Sequence, residues 1–313
     1  MFRTWGTRIL GSLALIVIVP SITFLLQSLT PVDIGRSILG LGASQDQVDA
    51  YNHQLGLDRP FLTRYWDWLT GFAHGDLGTS YTSGEAVTTM LGARLPVSLA
   101  LIIGSLLIFT VVGLLLGVLS AGGGRIVGRV VDVVSSAGIA IPNFWLGVIL
   151  VSLFAVKTTI LPATGYVPFA AGPGDWFRSL VLPVVALSFA GITAVAKQTR
   201  DQMMVALTGP YIRSLRANGV PERSLVYRHA LRNASGPTVT VLGLIFVGAL
   251  SGSVVVENIF VLPGLGSQAV TSAGQHDLPV IQGIAVYFTT IVVVVNVVVD
   301  LAIPFLNPKA RAR

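Results

Sequence analysis

Residues 216–234 read RANGVPERSLVYRHALRNA and separate two apolar runs, at about 179–196 and 236–256. The segment carries four arginines and one histidine, although only 11% of the 313 residues are charged. A soluble chain of this length has roughly a quarter of its residues charged. Since 53% of the residues are also hydrophobic, we expect an integral membrane protein whose basic segment lies outside the bilayer.

Six apolar stretches reach the length of about 20 residues that a membrane-spanning helix needs. Besides the two runs already given, they cover about 9–29, 97–120, 131–156 and 280–303. The first is longer than the ~7–15-residue core of a secretory signal, and no A-x-A-like cleavage site follows it, so we expect it to remain as a span. The expected fold is an all-α membrane protein with six transmembrane helices.

The distribution of charge predicts the orientation of these spans. With both termini in the cytoplasm, fourteen of the 20 lysines and arginines fall on that side, and ten of the 14 acids fall outside. Such a basic excess on one face is the usual mark of the cytoplasmic side. Topology therefore accounts for the net charge of +6, and no nucleic-acid partner is expected.

The connection 30–93 is too long for a simple turn and is predicted to be an extracytoplasmic segment with short helices. Ser44–Gln47 reads SQDQ, which fits a capping box, and Gly56 is expected to end that helix. A second helix is predicted after Asp58, with Pro60 in its first turn.

Four aromatic residues of the second helix recur at spacings of three and four, which predicts one aromatic face. They are Phe61, Tyr65, Trp68 and Phe72. Tryptophan and tyrosine collect at membrane interfaces, so this face suits an interfacial position. The same face also suits docking of an external partner; the interfacial position is preferred, and both interpretations can hold together.

Signatures of catalysis and of metal binding are missing from the sequence. It contains no cysteine, and its four histidines show no H-x-x-x-H spacing. It contains neither a G-x-S-x-G elbow nor a Walker phosphate loop. We therefore expect no enzyme, no metal site and no ATPase site on this chain. An intramembrane enzyme would need a catalytic pair of residues at membrane depth, and the sequence offers none. A stand-alone channel or receptor is an alternative to a transport subunit.

Ionisable residues inside membrane spans often mark transport paths. The clear case is Asp300, near the cytoplasmic end of the last predicted span, where Lys309 or Arg311 could balance it. A structural role is preferred for it. A pump driven by protons or sodium needs acids nearer the midplane, so energy for any solute movement is expected to come from another subunit.

The opening segment has the signals of a helix that stops and restarts. Asn218–Gly219 is expected to end one helix with a left-handed residue, and Pro221 with Glu222 is expected to begin the next. One face of the second helix gathers Leu225, Val226, His229 and Ala230. The prediction is a short amphipathic helix pair hinged at Gly219, which suits either anionic lipid headgroups or a groove on a cytoplasmic protein.

Residues 211–234, YIRSLRANGVPERSLVYRHALRNA, resemble the cytoplasmic coupling loop of ABC importer permeases of the dipeptide/oligopeptide (peptide/nickel) type. Further stretches are similar in the same order: LGLDRPFLTRYWDWL at 55–69, GDLGTSY at 75–81, IPNFWLGVIL at 141–150, VVVENIFVLPGLG at 254–266 and DLPVIQG at 277–283. Leu215 and Asn218 depart from the family's usual alanine and lysine. In the family this loop inserts into a cleft of an ATPase subunit.

The resemblance implies the type I ABC importer permease fold and a division of the chain into four parts. These are the first helix with its N-terminal region (1–29), the extracytoplasmic segment (30–93), an ABC transmembrane type-1 domain with a coupling loop at about 201–235 (94–304), and a cytoplasmic tail (305–313). The residues that it assigns to coupling are Tyr211, Arg213, Arg216, Gly219, Glu222, His229, Arg232 and Asn233.

The resemblance also implies the function and the partners. The chain would form half of a pore for di- or oligopeptides in a bacterial inner membrane, with a second homologous permease. Two ATPase subunits or domains would hold ATP and Mg²⁺, this chain would bind no cofactor, and a solute-binding protein would deliver the solute. Nickel and glutathione are alternative solutes. Candidate residues facing the binding protein are Trp66, Trp68, Asp76, Glu257, Pro263, Gly264 and Gly266.

Overall fold

The computed structural model describes residues 2–29, 33–40 and 42–306. Over these residues the chain is helical and has no β-strand; an isolated antiparallel bridge joins Thr79 and Ala86. The α-helices, in chain order, are α1 (Phe2–Ser28), α2 (Ile34–Leu39), α3 (Gln45–Gln54), α4 (Phe61–Ala73), α5 (Val87–Gly122), α6 (Gly124–Ala140), α7 (Asn143–Leu150), α8 (Pro173–Thr208), α9 (Pro210–Ala217), α10 (Glu222–Ser224), α11 (Leu231–Ile259), α12 (Leu265–Gly274) and α13 (Leu278–Leu306).

Within the described residues, five helical stretches are long and apolar enough to cross a membrane, and they correspond to five of the predicted spans. They are α1, α5, α8, the helix from α10 through α11, and α13. Helices α5 and α8 have 36 residues each, which at about 1.5 Å per residue is roughly 54 Å. The hydrocarbon core of a bilayer is about 30 Å thick, so both helices are long enough to extend beyond it.

The predicted third span, 131–156, is wrong as a single straight helix. It consists of α6 and of α7 with a following π-helical turn, Val151–Lys157, and the two parts are bent by 97°. The break lies at Ile141–Pro142, where Ile141 is extended, with φ −81° and ψ 119°. Proline lacks the N–H that a helix needs and disfavours the helical conformation of the residue before it. Counting this bent pair as one span gives a sixth.

Apolar side chains are exposed along several of these helices. Examples are Leu13, Leu26, Leu107, Leu115 and Leu244. Exposed apolar surface on this scale is typical of proteins that contact lipid or another subunit. The pattern agrees with the membrane class that composition predicts.

The chain forms two compact units. One comprises the chain up to Val97 together with Gly264–Val293, and the other comprises Ser98–Pro263 together with the chain from Val294 onward. The first unit thus includes a late segment that the sequence-based division places within 94–304. Lys309 and Arg311, suggested as counter-charges for Asp300, lie outside the described residues, as does the tail after Leu306.

The local helix signals predicted in the connection 30–93 are confirmed at Ser44 and Gly56. Ser44 accepts a hydrogen bond from the backbone N–H of Gln47 and Gln47 Oε1 accepts one from the N–H of Ser44, which completes the predicted capping box at the start of α3. Gly56 follows the end of α3 with a positive φ of 66°. Helix α4 begins directly after Pro60, two residues later than predicted.

The aromatic face of α4 forms as predicted, but it packs inside the first unit. Phe24 of α1 lies 5.6–5.8 Å, centroid to centroid, from the rings of Phe61, Tyr65 and Trp68. Trp68 stacks on Phe72 at 5.7 Å, and both pack against a buried apolar cluster: Leu77, Val87, Leu91, Leu265, Val280, Ile284 and Val286. Neither interpretation from sequence included this internal role.

The second unit depends on close approach of α5 and α8 at glycines. A Cβ at Gly117 would lie 2.5 Å from Thr199 Cβ and 2.8 Å from the carbonyl oxygen of Ala196. A Cβ at Gly113 would lie 2.6 Å from Val195 Cβ. Since real Cβ atoms do not approach so closely, these two positions allow the helix backbones to pack directly, as small residues do in membrane helix pairs.

Candidate functional site

The segment 209–233 forms the candidate site, and its first part is helix α9. Gly209 separates α9 from α8, and Pro210 occupies the first turn of α9, where a missing N–H costs nothing. Ile212 is buried, whereas Tyr211, Arg213 and Arg216 are exposed. This short helix therefore anchors one apolar side chain and presents its basic residues to the surroundings.

The predicted break at Asn218–Gly219 is confirmed. Gly219 has φ +79°, and its N–H donates to the carbonyl of Arg216 at 3.1 Å, while the N–H of Val220 donates to Leu215 at 3.1 Å. These bonds satisfy carbonyl groups at the end of α9, as a left-handed C-terminal residue usually does.

The second member of the predicted helix pair is not a separate short helix. Helix α10 begins at Glu222, with Pro221 as its N-cap, passes into a π-helical turn at Leu225–Ala230, and continues without a break into α11. The sequence has no glycine or proline between Glu222 and Gly236, so nothing local stops the helix. The part after the Gly219 turn is therefore rigidly continuous with a candidate membrane span.

The amphipathic face predicted after Gly219 is confirmed. Leu225 and Ala230 are buried, and Ala230 belongs to an apolar cluster with Val118, Met203 and Ala234, against which Val226 packs. The basic residues of the same stretch are exposed: Arg223, Arg228 and Arg232. The apolar face packs this segment against the rest of the second unit, and the arginines point away from the interior.

Two polar contacts join α9 to the helix that follows it. Tyr211 Oη and His229 Nδ1 are 3.1 Å apart; within the second helix, Asn233 Nδ2 donates to the carbonyl of His229 at 3.0 Å. Across the Gly219 turn, Arg216 Nε and Nη2 donate to Glu222 Oε1 and Oε2 at 2.5 and 3.2 Å. The Tyr211–His229 and Arg216–Glu222 contacts therefore close the turn, and Gly219 and Asn233 lie beside them. Together these are six of the eight predicted coupling residues.

The Arg216–Glu222 pair shifts both pKa values toward the charged forms. Hydrogen bonding from Arg216 lowers the pKa of Glu222, and hydrogen bonding to Glu222 raises the pKa of Arg216. Both residues lie outside the predicted span 236–256. Both side chains are largely exposed, so solvent screens the attraction and the pair remains easy to open.

The residues predicted to face a binding protein divide into exposed and interior positions. Trp66 is 63% exposed, and Asp76 and Pro263 are also exposed. Asp76 Oδ1 accepts from the N–H of Gly78 at 2.8 Å, which fixes a turn. These three positions remain available for a contact.

Three of the other members of that set are buried, and Trp68 is partly buried. Glu257 is 0% exposed and accepts a hydrogen bond from Ser98 Oγ at 2.7 Å, so its carboxylate is directed to a partner within the chain. Gly264 and Gly266 are buried at the start of α12, and Trp68 stacks within the first unit. The sequence did not indicate this burial, because burial depends on residues far along the chain.

Sequence reasoning also missed an ion pair between α6 and α8. Arg200 Nη1 lies 2.6 Å from Asp132 Oδ1, and the Arg200 side chain is mostly buried. A Cβ at Gly128 would lie 3.0 Å from Arg200 Nη2, so that glycine makes room for the guanidinium. Asp132 lies at the edge of the predicted span 131–156. An acid in a membrane span usually needs a partner of opposite charge, so its position was a signal for this ion pair.

Metal binding is not supported anywhere in the part of the chain that the structure describes. No group of three or more histidine, aspartate or glutamate side chains there could hold an ion.

Comparison with known proteins covers nearly the whole chain. Residues 113–312 match the family described as binding-protein-dependent transport system inner membrane component, and residues 1–102 match the N-terminal part of such a membrane component. A putative peptide transport system permease protein from Brucella abortus (strain 2308) is 38% identical over 306 residues, which is 97% of each chain.

Two further relatives show similar coverage. A probable D,D-dipeptide transport system permease protein from Escherichia coli (strain K12) is 36% identical over 330 residues, covering 98% of this chain and 95% of the relative. A glutathione transport system permease protein from Salmonella choleraesuis (strain SC-B67) is 35% identical over 305 residues, covering 97% of each.

The helical membrane architecture and these matches define the class: the chain belongs to the family of inner-membrane components of binding-protein-dependent transport systems. It is a permease subunit of an ABC importer and a multi-pass protein of the bacterial inner membrane. Its family works with a solute-binding protein and with ABC ATPases.

Proposed function

We propose that this permease imports di- or oligopeptides and forms half of the translocation pore, beside a second homologous permease. Two cytoplasmic ATPase subunits or domains would supply ATP hydrolysis with Mg²⁺, and an extracytoplasmic solute-binding protein would deliver the peptide. The chain itself is then no enzyme and binds no cofactor and no nucleic acid. The peptide transport permease at 38% identity over 97% of both chains supports the choice of solute.

The proposed topology has six spans with both termini in the cytoplasm. It requires the bent pair α6 and α7 to serve as one span beside the five long apolar helices. The positive-inside rule supports the orientation, since segment 209–233 then lies in the cytoplasm with its exposed arginines.

The observation that carries the coupling role is the arrangement of segment 209–233. Its apolar side chains are buried, its arginines are exposed, and its second half continues directly into α11. A partner that grips the exposed face would therefore displace a membrane helix and not merely a loop. The weakly held Arg216–Glu222 contact leaves both side chains able to exchange partners during such docking.

The mechanism that follows is alternating access. Closure of two ATPases on ATP would carry segment 209–233 with them and open the pore toward the binding protein. Hydrolysis would return the pore to the inward-facing state. Because selectivity resides in the binding protein, the pore needs few charged residues, in keeping with the low charge of the predicted spans.

Co-purification with the ATPase tests the coupling role. The ATPase should accompany the wild-type permease and be lost from Arg216→Glu, where Glu222 would repel the new carboxylate, and from Gly219→Pro, where φ +79° is impossible for proline. Arg178→Glu, an exposed arginine outside segment 209–233, is the matched control and should keep the ATPase.

The double variant Arg216→Glu with Glu222→Arg sharpens the result. It restores an ion pair across the turn with the charges reversed. Recovery of the ATPase would assign Arg216 to holding the turn, and continued loss would assign it to direct contact with the partner. Retention of the ATPase by both single variants would contradict the coupling role.

Glutathione is the second candidate solute, because the Salmonella relative at 35% identity is a glutathione transport permease. Uptake of labelled dialanine and of labelled glutathione into vesicles that contain the assembled importer and ATP separates the two. ATP-dependent uptake of glutathione alone would overturn the peptide assignment.

A further inference from the structure

An ion pair connects α6 and α8 inside the second unit. Arg200 Nη1 of α8 lies 2.6 Å from Asp132 Oδ1 of α6, and the two side chains are 19% and 35% exposed. The side chains of the Arg216–Glu222 pair are 48% and 63% exposed. Water therefore screens the Arg200–Asp132 attraction less, and separating its two charges costs more free energy. This contact resists sliding of one helix along the other.

Helix α8 is attached to both halves of segment 209–233. It is followed by the single residue Gly209 and then directly by α9. Met203, near the same end of α8, is fully buried and packs in one apolar cluster with Ala230 of the second half. Arg200 lies about one turn before Met203. A displacement of the segment therefore reaches Arg200 through a covalent connection and through a buried apolar contact.

Helix α6 approaches α8 closely on either side of the ion pair. A Cβ at Gly128 would lie 3.0 Å from Arg200 Nη2, and a Cβ at Gly138 would overlap the side chain of Thr193. Small residues of this kind let two membrane helices pack at short range. Asp132 lies between the two glycines in the sequence. The ion pair thus adds one polar, directional contact to a packing that is otherwise made by small and apolar groups.

Stability alone does not explain a charged pair at this position. Replacing a buried ion pair by apolar side chains of similar volume is often neutral or stabilising, because removing charges from water costs free energy. An apolar pair does not provide a contact of fixed geometry, since hydrophobic attraction has no preferred direction. The charged pair is therefore suited to keeping α6 and α8 in one relative position while both helices move.

We propose that the Arg200–Asp132 ion pair carries the displacement of segment 209–233 from α8 to α6, so that the first part of the bent pair α6 and α7 moves with the segment. This proposal rests on the proposed coupling role of the segment. Arg200 and Asp132 are positioning residues: they act by making α6 follow α8, and the role requires no contact with ATP or with the solute.

Spin labels test whether the two helices move together. The chain contains no cysteine, so Ile126→Cys on α6 and Val205→Cys on α8, both at exposed positions, can each carry a nitroxide in the assembled importer in lipid nanodiscs. EPR then measures the spacing of the two labels without nucleotide and with an ATP analogue that is not hydrolysed. In the otherwise wild-type chain this spacing should be the same in both states.

The decisive variant combines Asp132→Leu with Arg200→Met, which removes both charges and keeps side chains of similar size. Either change alone leaves a partly buried charge without its partner and is strongly destabilising, whereas the double change should keep the melting temperature near that of wild type. In the double variant the label spacing should change when the ATP analogue binds. Lys197→Met, which removes an ion pair within α8, is the matched control and should behave as wild type.

Transport gives a second readout that a purely structural role would not change. Since segment 209–233 is intact in the double variant, it should still capture the ATPase and hydrolyse ATP. The amount of labelled dialanine or glutathione taken up per ATP should fall roughly tenfold, as the loss of one charge-assisted hydrogen bond changes an equilibrium. A structural role alone predicts that the apolar double variant restores wild-type uptake per ATP.

Two results would overturn the proposal. One is a double variant whose label spacing matches wild type in both states, and the other is a wild-type spacing that itself changes with nucleotide. Failure of the coupling role has a different signature, because Arg216→Glu and Gly219→Pro would then keep the ATPase. Loss of the ATPase from those variants, together with either overturning result, would refute the role of the ion pair alone.

Discussion

Two carboxylates each fasten a short connection, one in the first unit and one in segment 209–233. Asp277, just before α13, is 1% exposed and accepts hydrogen bonds from Ser80 Oγ at 2.5 Å, from the N–H of Tyr81 at 3.1 Å and from Thr82 Oγ1 at 2.9 Å. Glu222 accepts two hydrogen bonds from Arg216, but its side chain is 63% exposed.

These two contacts differ in how far water reaches the carboxylate. Hydrogen bonds to a buried carboxylate act in a medium of low dielectric constant, and losing the carboxylate leaves its donors unsatisfied. Water replaces either partner of an exposed pair at little cost. The connection at Ser80–Thr82 is therefore held rigidly, whereas the contacts that close segment 209–233 can be replaced by contacts with another molecule.

The largest expected effect is the loss of Asp277. Asp277→Ala leaves four donors of the loop without their acceptor, the three named above and the N–H of Thr82, and we expect a loss of roughly 2–4 kcal/mol in the free energy of unfolding. Thermal unfolding in detergent measures it. Asp76→Ala, which removes an exposed carboxylate with a bond to the N–H of Gly78, is the control, and equal shifts for both would remove the distinction between the two kinds of contact.

The next effect compares two glycines that require left-handed backbone. Gly84 in the first unit has φ +71°, Gly219 has φ +79°, and a Cβ on either would meet no atom within 4 Å. Alanine at each should cost about 1–2 kcal/mol from backbone conformation alone. The melting temperatures should fall alike, but the ATPase should be captured less well by Gly219→Ala only. Equal capture by both variants would argue against a functional role of the Gly219 turn.

A smaller effect comes from two tyrosine hydroxyls. Tyr65 Oη lies 2.9 Å from Ser21 Oγ in a half-buried position, and Tyr211 Oη lies 3.1 Å from His229 Nδ1 in an exposed one. Tyr65→Phe should lower the free energy of unfolding by about 1 kcal/mol, whereas Tyr211→Phe should leave the melting temperature unchanged. A larger loss in Tyr211→Phe would mean that segment 209–233 is held as firmly as the first unit.

The smallest effect is the pH dependence of the Arg216–Glu222 pair. The pKa of Glu222 is lowered from 4.5 in the folded chain, so its contribution to stability is complete above that value and is lost as the pH falls through the lowered pKa. The difference in melting temperature between wild type and Glu222→Gln should be small and constant near neutral pH and should disappear in acid. A difference that changes near neutral pH would implicate another group.

Much of the helical pattern was predictable because its causes are local. The capping box at Ser44, the stop at Gly56 and the turn at Gly219 each depend on a few neighbouring residues, and all three form as expected. The bend at Pro142 was equally local. Hydropathy over 131–156 does not indicate it, because average hydropathy ignores the restriction that Pro142 places on the backbone of Ile141.

The candidate site was predictable in its residues but not in its contacts. Arginine spacing placed Arg223, Arg228 and Arg232 away from the apolar face, and they are exposed. The pairing of Arg216 with Glu222 spans six residues and depends on how the Gly219 turn closes. The continuity of the second helix into α11 had a signal in the sequence, since no glycine or proline lies between Glu222 and Gly236, but no pattern indicated the π-helical turn.

The sequence by itself determined that this is a membrane protein, where most of its helices lie and which segment is basic. These features depend on the length of apolar runs and on backbone preferences, which are set by residues close together in the chain. Tertiary structure decided which polar groups are buried. Ser80 and Asp277 are 197 residues apart and Ser98 and Glu257 are 159 apart, so the cost of desolvating these groups is met only by partners that folding brings from elsewhere in the chain.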